Sequence, residues 1–522
     1  MRIGIDVGGT NTDAALLGDD DRVISAAKSP TTPDITSGVT AAIRALDPPV
    51  DRVSAVMIGT THFLNALIEG ARLAPVAAVR LGLPATAALP PMTDWPERQR
   101  AAVGGHGYLC HGGREFDGRP LSPLDPGELR RTAADIAAKG ITSVAISSVF
   151  SPVAEDDERR AAQILRGELG DGVHISLSHE LGRIGLLARE NATIINAALR
   201  DLATVIVESF AKSLAEVSIT APFFLSQNDG TLMDVEFART YPVATFASGP
   251  TNSMRGAAFL SGLQDCAVVD VGGTTADVGI LAGGFPREAA GESEAAGIRT
   301  NFRIPDVLSL GIGGGSLVSP EGDTGPRSVG YRLTEEALVF GGTTLTATDL
   351  AVAAGRADIG DPARVAHLDR EFVDRALDRI AHRLAESVDR MRTSAAALPV
   401  VAVGGGSVLV PERLPGFDDV RRPGNFGVAN AVGAAIAQVG GEVDRVFHVP
   451  QGTRESVLAG AREEAVARAE EAGARRGSVR VVDIEEVPLA YLPGGATRIR
   501  VKAVGDLDLK HIPVRTGVTA HA

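Results

Sequence analysis

Two short runs hold the residues of this chain whose types and spacing could do chemistry. Ile3 to Asp13 reads IGIDVGGTNTD and Val268 to Asp277 reads VVDVGGTTAD, so Asp6, Val7, Gly8, Gly9, Thr10 and Asp13 return as Asp270, Val271, Gly272, Gly273, Thr274 and Asp277. An apolar stretch precedes the first Asp of each run and another follows the second, which predicts strand, tight Gly-Gly turn, strand. Glycines let a backbone approach a bulky anion. The turn N–H groups, with Thr10, Asn11, Thr12, Thr274 and Thr275, can then donate to phosphate oxygens. The leading aspartates, Asp6 and Asp270, are placed at strand ends where each could hold Mg²⁺ through water, since a carboxylate and a phosphate repel. Asp13 and Asp277 are weaker candidates, because either could simply close its hairpin. One copy alone is an ordinary hairpin. Two copies suit a clamp for ATP between related lobes.

The elements around these runs must position them. Strands are expected near 2–7, 13–18 and 22–28, a helix at 34–46, and a buried strand Ser54–Gly59. Gly59 to Gly70, GTTHFLNALIEG, turns into an amphipathic helix. Thr60 and Thr61, with Asn65 one turn on, are candidates to hold a substrate, because a helix N-terminus favours an anion or a polarised carbonyl. A plain N-cap is the equal alternative. Residues 84–130 are rich in Pro and Gly and read as an insertion. There His106 and His111 flank Cys110 without a carboxylate pair, which favours ordinary loop residues over a metal site.

His179 and Glu180 follow the strand His174–Ser178, where side chains of an α/β sheet project into a crevice. They are candidates for a proton-shuttling pair or a substrate orienter, against the plainer reading of a turn-capping surface pair. A helix from Leu186 to about Leu214 should cross between lobes. Ser248, Gly249 and Pro250 precede a helix at Asn252 to about Leu260. Beyond the second hairpin, Leu308 to Pro320 (LSLGIGGGSLVSP) contains Gly313 and Gly314 in a loop that implies close backbone approach to a ligand or to the other lobe. After the strand Pro399–Val403, Gly404, Gly405, Gly406 and Ser407 form a flat floor for a purine. A small-residue helix is expected over Val428–Val439. From about 444 the composition changes to an Ala/Glu/Arg helix and two strands.

Composition narrows the setting. The chain has 522 residues, 44% hydrophobic and 22% charged, enough for several soluble globular domains. A net charge of −14, with no basic run and only 4% aromatic residues, argues against nucleic acid. Two cysteines cannot form a disulfide framework or a cysteine metal cluster, so a reducing, cytoplasmic setting is expected. No apolar stretch approaches the roughly 18 residues of a membrane span, and Met1-Arg2 leads straight into a strand without an apolar signal segment.

The paired hairpins and the late Gly-Gly-Gly-Ser floor resemble the actin, sugar kinase and Hsp70 ATPase superfamily. Within it, GTTHFLNALIEG, SHELGRIGLLARENATIINAAL, SQNDGTLM, SGPTNSMRGA, DVGGTTADVGIL and LGIGGGSLV are similar, in order, to the hydantoinase/5-oxoprolinase family of the A-subunit type. The resemblance covers most of residues 3–440. It implies an α/β, two-lobed actin-like (ribonuclease H-like, duplicated) ATPase fold. The first lobe would span 1–190 with the insertion, the second 191–443, and a small α+β C-terminal domain 444–522, ending in a loose tail from 505. Region 320–350 is short for the family, and the small C-terminal piece stands where a large domain is usual. Both departures bear on substrate, not on ATP.

The resemblance implies transfer of phosphate from MgATP to the carbonyl oxygen of a cyclic amide or ketone, beside a B subunit and within an oligomer. An amide carbonyl is a poor electrophile until its oxygen becomes a leaving group, and such an enzyme works mainly by alignment and charge neutralisation. Two alternatives stay open: a small-molecule kinase of the same fold, and a non-catalytic ATP-binding switch.

Overall fold

The computed structural model describes residues 1–9, 11–31, 35–289, 291, 293–489 and 495–509 as a mixed α/β chain. Both hairpins form. Arg2–Val7 pairs antiparallel with Asn11–Leu17, placing Asp6 opposite Asp13. Cys266–Val271 pairs with Ala276–Ala282, placing Asp270 opposite Asp277. These strands are buried on both faces, which is why they read as continuous apolar runs rather than alternating ones.

Each hairpin sits in a sheet with the same strand order. On one side of the first lies Val23–Pro30, antiparallel; on the other lie Ala55–Thr60 and Phe223–Ser226, parallel. The second hairpin has Phe285–Pro286 antiparallel on one side, and Val400–Val403 and Val420–Arg421 parallel on the other. Val307–Leu310 also pairs with Ala276–Ala282. Each sheet has its own core. Ile3, Ile5, Val56, Ile58, Ile195 and Phe210 belong to the first, and Val269, Val278, Ile380, Leu384 and Val400 to the second. The helix expected from Leu186 runs unbroken to Glu216 and packs into the first of these cores.

Sheet topology draws boundaries that differ from the sequence divisions at 190, 443 and 84–130. Phe223–Ser226 and Thr231–Met233, which fall within the second lobe expected at 191–443, belong to the first sheet. Gln438–His448 continues that sheet across the expected 443/444 boundary, followed by Ala496–Gly505 and Arg480–Pro488, giving nine strands. The helix Arg454–Glu471 covers this extension, with Leu458, Ala461 and Ala465 packed on Val443, Ile499 and Val501. The C-terminal segment is therefore a continuation of the first sheet rather than an appended domain. Residues 510–522 of the expected tail lie outside the described residues. Between 76 and 177 the chain builds a separate parallel sheet in the order His106–His111, Val76–Leu83, Ser143–Ser148, His174–Leu177, wider than the insertion expected at 84–130.

The small-residue helix is Ala429–Ala435, shorter than expected because Gln438 and Val439 pair with Thr231 and Leu232. Its composition reflects close packing. A Cβ on Gly4 would stand 1.9 Å from the Ala431 carbonyl oxygen, one on Gly256 1.8 Å from that of Ala429, and one on Gly433 1.8 Å from that of Asn252. Backbone thus lies against backbone along the strand Arg2–Val7, this helix and the helix Ser248–Ser261.

Candidate functional site

That close packing brings two asparagines onto the first hairpin. Asn430 Nδ2 donates to Asp6 at 3.0 Å and to Asp13 at 2.9 Å, tying together the two carboxylates that face each other in the register. Asn252 Nδ2 donates to Asp6 at 3.5 Å, and Lys28 pairs with Asp13. Burial, then the adjacent Asp13, pushes the Asp6 carboxyl up to about 6 against these hydrogen bonds. Burial pushes Asp270 up to about 7; a hydrogen bond from Ser253 opposes this, while Asp277, Asp6 and Asp13 add repulsion. The carboxylates of the two hairpins therefore act on one another, Asp6 and Asp13 buried, Asp270 and Asp277 half-buried, with Lys28 beside Asp13.

Among the described residues no group of three or more His, Cys, Asp or Glu side chains is placed to hold a metal ion directly. Asp6 and Asp270 suit a hard divalent cation held through water, which would offset their mutual repulsion. The hairpin turns point the same way. Gly9 and Gly273 are exposed, have no positive φ, and have nothing within 4 Å of where a Cβ would stand. The fold itself does not require glycine there. The open space above both turns is what a close-approaching ligand needs. Thr274 and Thr275 are exposed beside Gly273, and Asn11 is half-buried, its carbonyl accepting from Gly8 N–H at 3.0 Å. Thr10 lies outside the described residues. Thr12 is fully buried, its hydroxyl 3.4 Å from that of Thr31, so it supports the hairpin and does not face the space above the turn. Thr31 in turn donates to the Gly8 carbonyl at 2.8 Å.

The two glycine-rich loops differ in role. Gly313 and Gly314 are buried beneath the second turn: Gly314 N–H donates to the Gly272 carbonyl at 3.0 Å and Gly313 N–H to Ser316 Oγ at 2.8 Å. With those donors spent, the loop buttresses the turn instead of meeting a phosphate. Gly404 has a φ of +83°, and a Cβ there would stand 2.2 Å from Asp270 Oδ1, so glycine is required beside that carboxylate. Gly406 N–H donates to the Val271 carbonyl at 2.7 Å, and Ser407 is buried with its hydroxyl unpartnered. Gly405 alone of this run is exposed with open space beside it.

Thr60, Thr61 and Asn65 lie next to the first hairpin. Thr61 Oγ1 donates to the Val7 carbonyl at 3.3 Å, and Asn65 Nδ2 donates to Thr61 at 3.4 Å. Thr60 Oγ1 lies 2.6 Å from His62 Nδ1, and burial, then Arg72, pushes that imidazole down to about 4, keeping it neutral. Thr61 is the N-cap residue of the helix His62–Glu69 but makes no side-chain cap.

His179 and Glu180 are brought to one cleft but do not pair with each other. Glu180 accepts from Tyr241 Oη at 2.9 Å, whereas His179 Nδ1 lies 2.7 Å from Glu158. They sit in a short helix, Ser178–Leu181, immediately after the strand, and successive helical positions diverge. Glu158 and Asn430 were not singled out in the sequence. Asn430 had one visible signal, as a polar side chain within an otherwise small and apolar helix.

Comparison with known proteins places this arrangement. The fold is similar to a crystal structure of ATP-dependent caprolactamase from Pseudomonas jessenii, with a TM-score of 0.74 at 20% identity, covering 97% of this chain and 87% of that one. It is also similar to nucleotide-free acetone carboxylase, with a TM-score of 0.67 at 17% identity, covering 98% and 89%. In sequence, the chain is 27% identical to the caprolactamase alpha subunit of Pseudomonas jessenii over 83% of its own length and 65% of that protein. It is 27% identical to the acetophenone carboxylase gamma subunit of Aromatoleum aromaticum over 68% of its length and 53% of that protein. The chain thus spans less than two thirds of the curated relatives it matches. Residues 2–169 match the hydantoinase/oxoprolinase N-terminal region, and residues 189–404 match the hydantoinase/oxoprolinase model. With most of its length accounted for by these two regions in their order, the chain belongs to the hydantoinase/oxoprolinase family.

Proposed function

We propose that this chain is the ATP-using subunit of an enzyme that phosphorylates the carbonyl oxygen of a cyclic amide, such as a hydantoin, 5-oxoproline or a lactam. The observation that carries the reading is the pair of matched Asp-Val-Gly-Gly hairpins, each with an exposed glycine turn, set in two sheets of the same strand order. The shared order also supports a duplicated, actin-like ATPase. Family membership and the likeness to caprolactamase support an enzyme acting on a carbonyl.

In this reading the exposed turns at Gly9, Gly273 and Gly405 accommodate the nucleotide. Asp6 and Asp270 hold the water shell of Mg²⁺, which when bound neutralises the triphosphate. Asn430 and Asn252 keep Asp6 aimed, and Gly404 lets Asp270 sit against its loop. Asn65 would orient the carbonyl through its amide, supported by Thr61, whose hydroxyl donates to Val7. Phosphorylation makes the amide carbon electrophilic enough for water to add; the ring nitrogen takes a proton as its C–N bond breaks, and hydrolysis of the resulting acyl phosphate releases phosphate. The names of two relatives, an alpha and a gamma subunit, support a separate partner that completes the reaction. A ketone substrate is the second reading, favoured by the acetophenone carboxylase relative.

The test is ATP hydrolysis by the purified chain with hydantoin, 5-oxoproline, caprolactam or acetophenone, with and without the product of the neighbouring gene. Weak stimulation by one compound alone, and stoichiometric product only with the partner, is expected. Multiple turnovers to ring-opened product by this chain alone would overturn the division of labour. A stable phosphate ester as the product would establish a kinase.

A further inference from the structure

Arg255 carries a buried charge without a counter-ion. It lies on the helix Ser248–Ser261, three residues after Asn252, and is only 7% exposed. Its guanidinium stands over the Phe285 ring, 4.1 Å from the centroid, but makes no hydrogen bond or ion pair among the described residues. None of its nitrogens is fully covered, so each keeps accessible surface. Burial pushes the guanidinium down to about 10, against the attraction of Asp229 and with the repulsion of Arg480, so it is still charged near neutral pH. Asp229 is no substitute partner, because its carboxylate is taken by Lys502 Nζ at 2.8 Å and by Thr231 Oγ1 at 2.7 Å. A buried cation left unpaired is costly, which makes the space in front of it a place for an anion.

That space is a cavity of about 570 Å³, lined by Arg255, beside the start of the strand Arg2–Val7. The Gly8-Gly9 turn lies beyond the other end of the same strand, roughly 16 Å away, so the cavity is separate from the proposed clamp. Three acids also line it, and each already has a cation. Asp19 accepts from the Met1 amino group at 2.7 Å, Asp21 pairs with Arg2, and Asp506 accepts from Arg475 at 2.7 Å and from Gln438 Nε2 at 2.9 Å. Their side chains are 79%, 58% and 52% exposed, so they form the mouth while Arg255 lies deep. Ser54 Oγ is taken by the Met1 carbonyl at 2.7 Å. The rest of the lining is apolar: Met57, Phe259, Ile436, Ala437, Leu507 and Leu509.

These features select a ligand. One deep cation without a partner suits a single negative charge, an acidic mouth repels a polyanion, and the apolar wall suits a hydrocarbon body. We propose that this cavity binds a short aliphatic monocarboxylate, its carboxylate paired with the Arg255 guanidinium and its carbon chain against the apolar wall. The site stands one helical turn from Asn252 and Ser253, the donors to Asp6 and Asp270.

The test is calorimetry on the full chain titrated with sodium hexanoate, repeated on Arg255→Met and Arg255→Lys, with sodium phosphate as the contrasting anion and with saturating MgADP present. One saturable hexanoate per chain is expected, weakened about tenfold or more in Arg255→Met by loss of a charge-assisted hydrogen bond and largely retained in Arg255→Lys, with phosphate binding more weakly. The melting temperature of each variant reports whether it folds. Phe259→Glu, at a position already 37% exposed, should also weaken hexanoate and decides the matter if Arg255→Met does not fold. No saturable hexanoate binding by the wild type, or equal binding by Arg255→Met, would overturn the proposal. So would phosphate binding as tightly as hexanoate, or complete loss of hexanoate binding under MgADP, which would put the carboxylate in the clamp.

Discussion

Asp270→Asn should make the nucleotide-free protein more stable while abolishing its Mg²⁺-dependent nucleotide binding. The wild-type carboxyl, raised from 3.8 to about 7, holds its proton more tightly in the folded chain than in the unfolded one. Below about pH 4 the group is protonated in both states and adds no penalty. As pH rises the penalty grows, and it is complete above about pH 7. A shift of that size corresponds to about 4 kcal/mol, reduced to about 2–4 kcal/mol because Asp270 is half-buried and partly screened. Asparagine carries no charge and keeps an oxygen for the Ser253 hydrogen bond, so the variant escapes most of this penalty. Urea unfolding without nucleotide, followed at about pH 5 and about pH 8, should show the midpoint of the variant pulling ahead of wild type at the higher pH and by much less at the lower. Calorimetry with MgATP should show binding lost. A variant no more stable than wild type at the higher pH would refute the claim that burial, with the neighbouring carboxylates, disfavours the charged form of Asp270.

Asn430→Leu should lower stability by about 1–3 kcal/mol, because Asp6 and Asp13 lose their shared donor while remaining buried. Chemical denaturation measures the loss, and MgATP affinity should fall with it. Gly433→Val should cost about 1–3 kcal/mol or more, since even a Cβ there would stand 1.8 Å from the Asn252 carbonyl oxygen, and the melting temperature should fall accordingly. An unchanged melting temperature would mean that the helix seam is looser than described.

What was legible in the sequence was what local pattern determines. The hairpins declare themselves because apolar runs and a Gly-Gly turn lie within a dozen residues, and the register follows from so short a turn. Glu158 was not legible. In the run Asp156-Asp157-Glu158 it reads as one more acid in the first turn of a helix, where the helix dipole favours negative charge. Only the fold turns it inward onto His179. Gly313 and Gly314 show the converse limit, since their pattern reports close approach but not what approaches, and the partner proved to be the second turn itself. Strand partners chosen over long distances were likewise invisible. Alternation in Gln438–His448 indicates one buried face, not that its neighbour is Thr231–Met233.

The nine-stranded sheet has a consequence for how the chain comes to be folded. It joins strands from residues 2–60 and 223–233 to three strands from beyond residue 437, so segments far apart in the chain must meet before it is complete. On a ribosome the second sheet, contained within 266–421, has all its strands available before the first is complete. Until Gln438–Val439 arrives, Thr231–Leu232 presents an unpaired edge, the kind of surface that invites pairing with another chain. Completion of the sheet bearing Asp6 thereby waits for residues 438–505, and nascent chains halted before that strand are the species most exposed to aggregation.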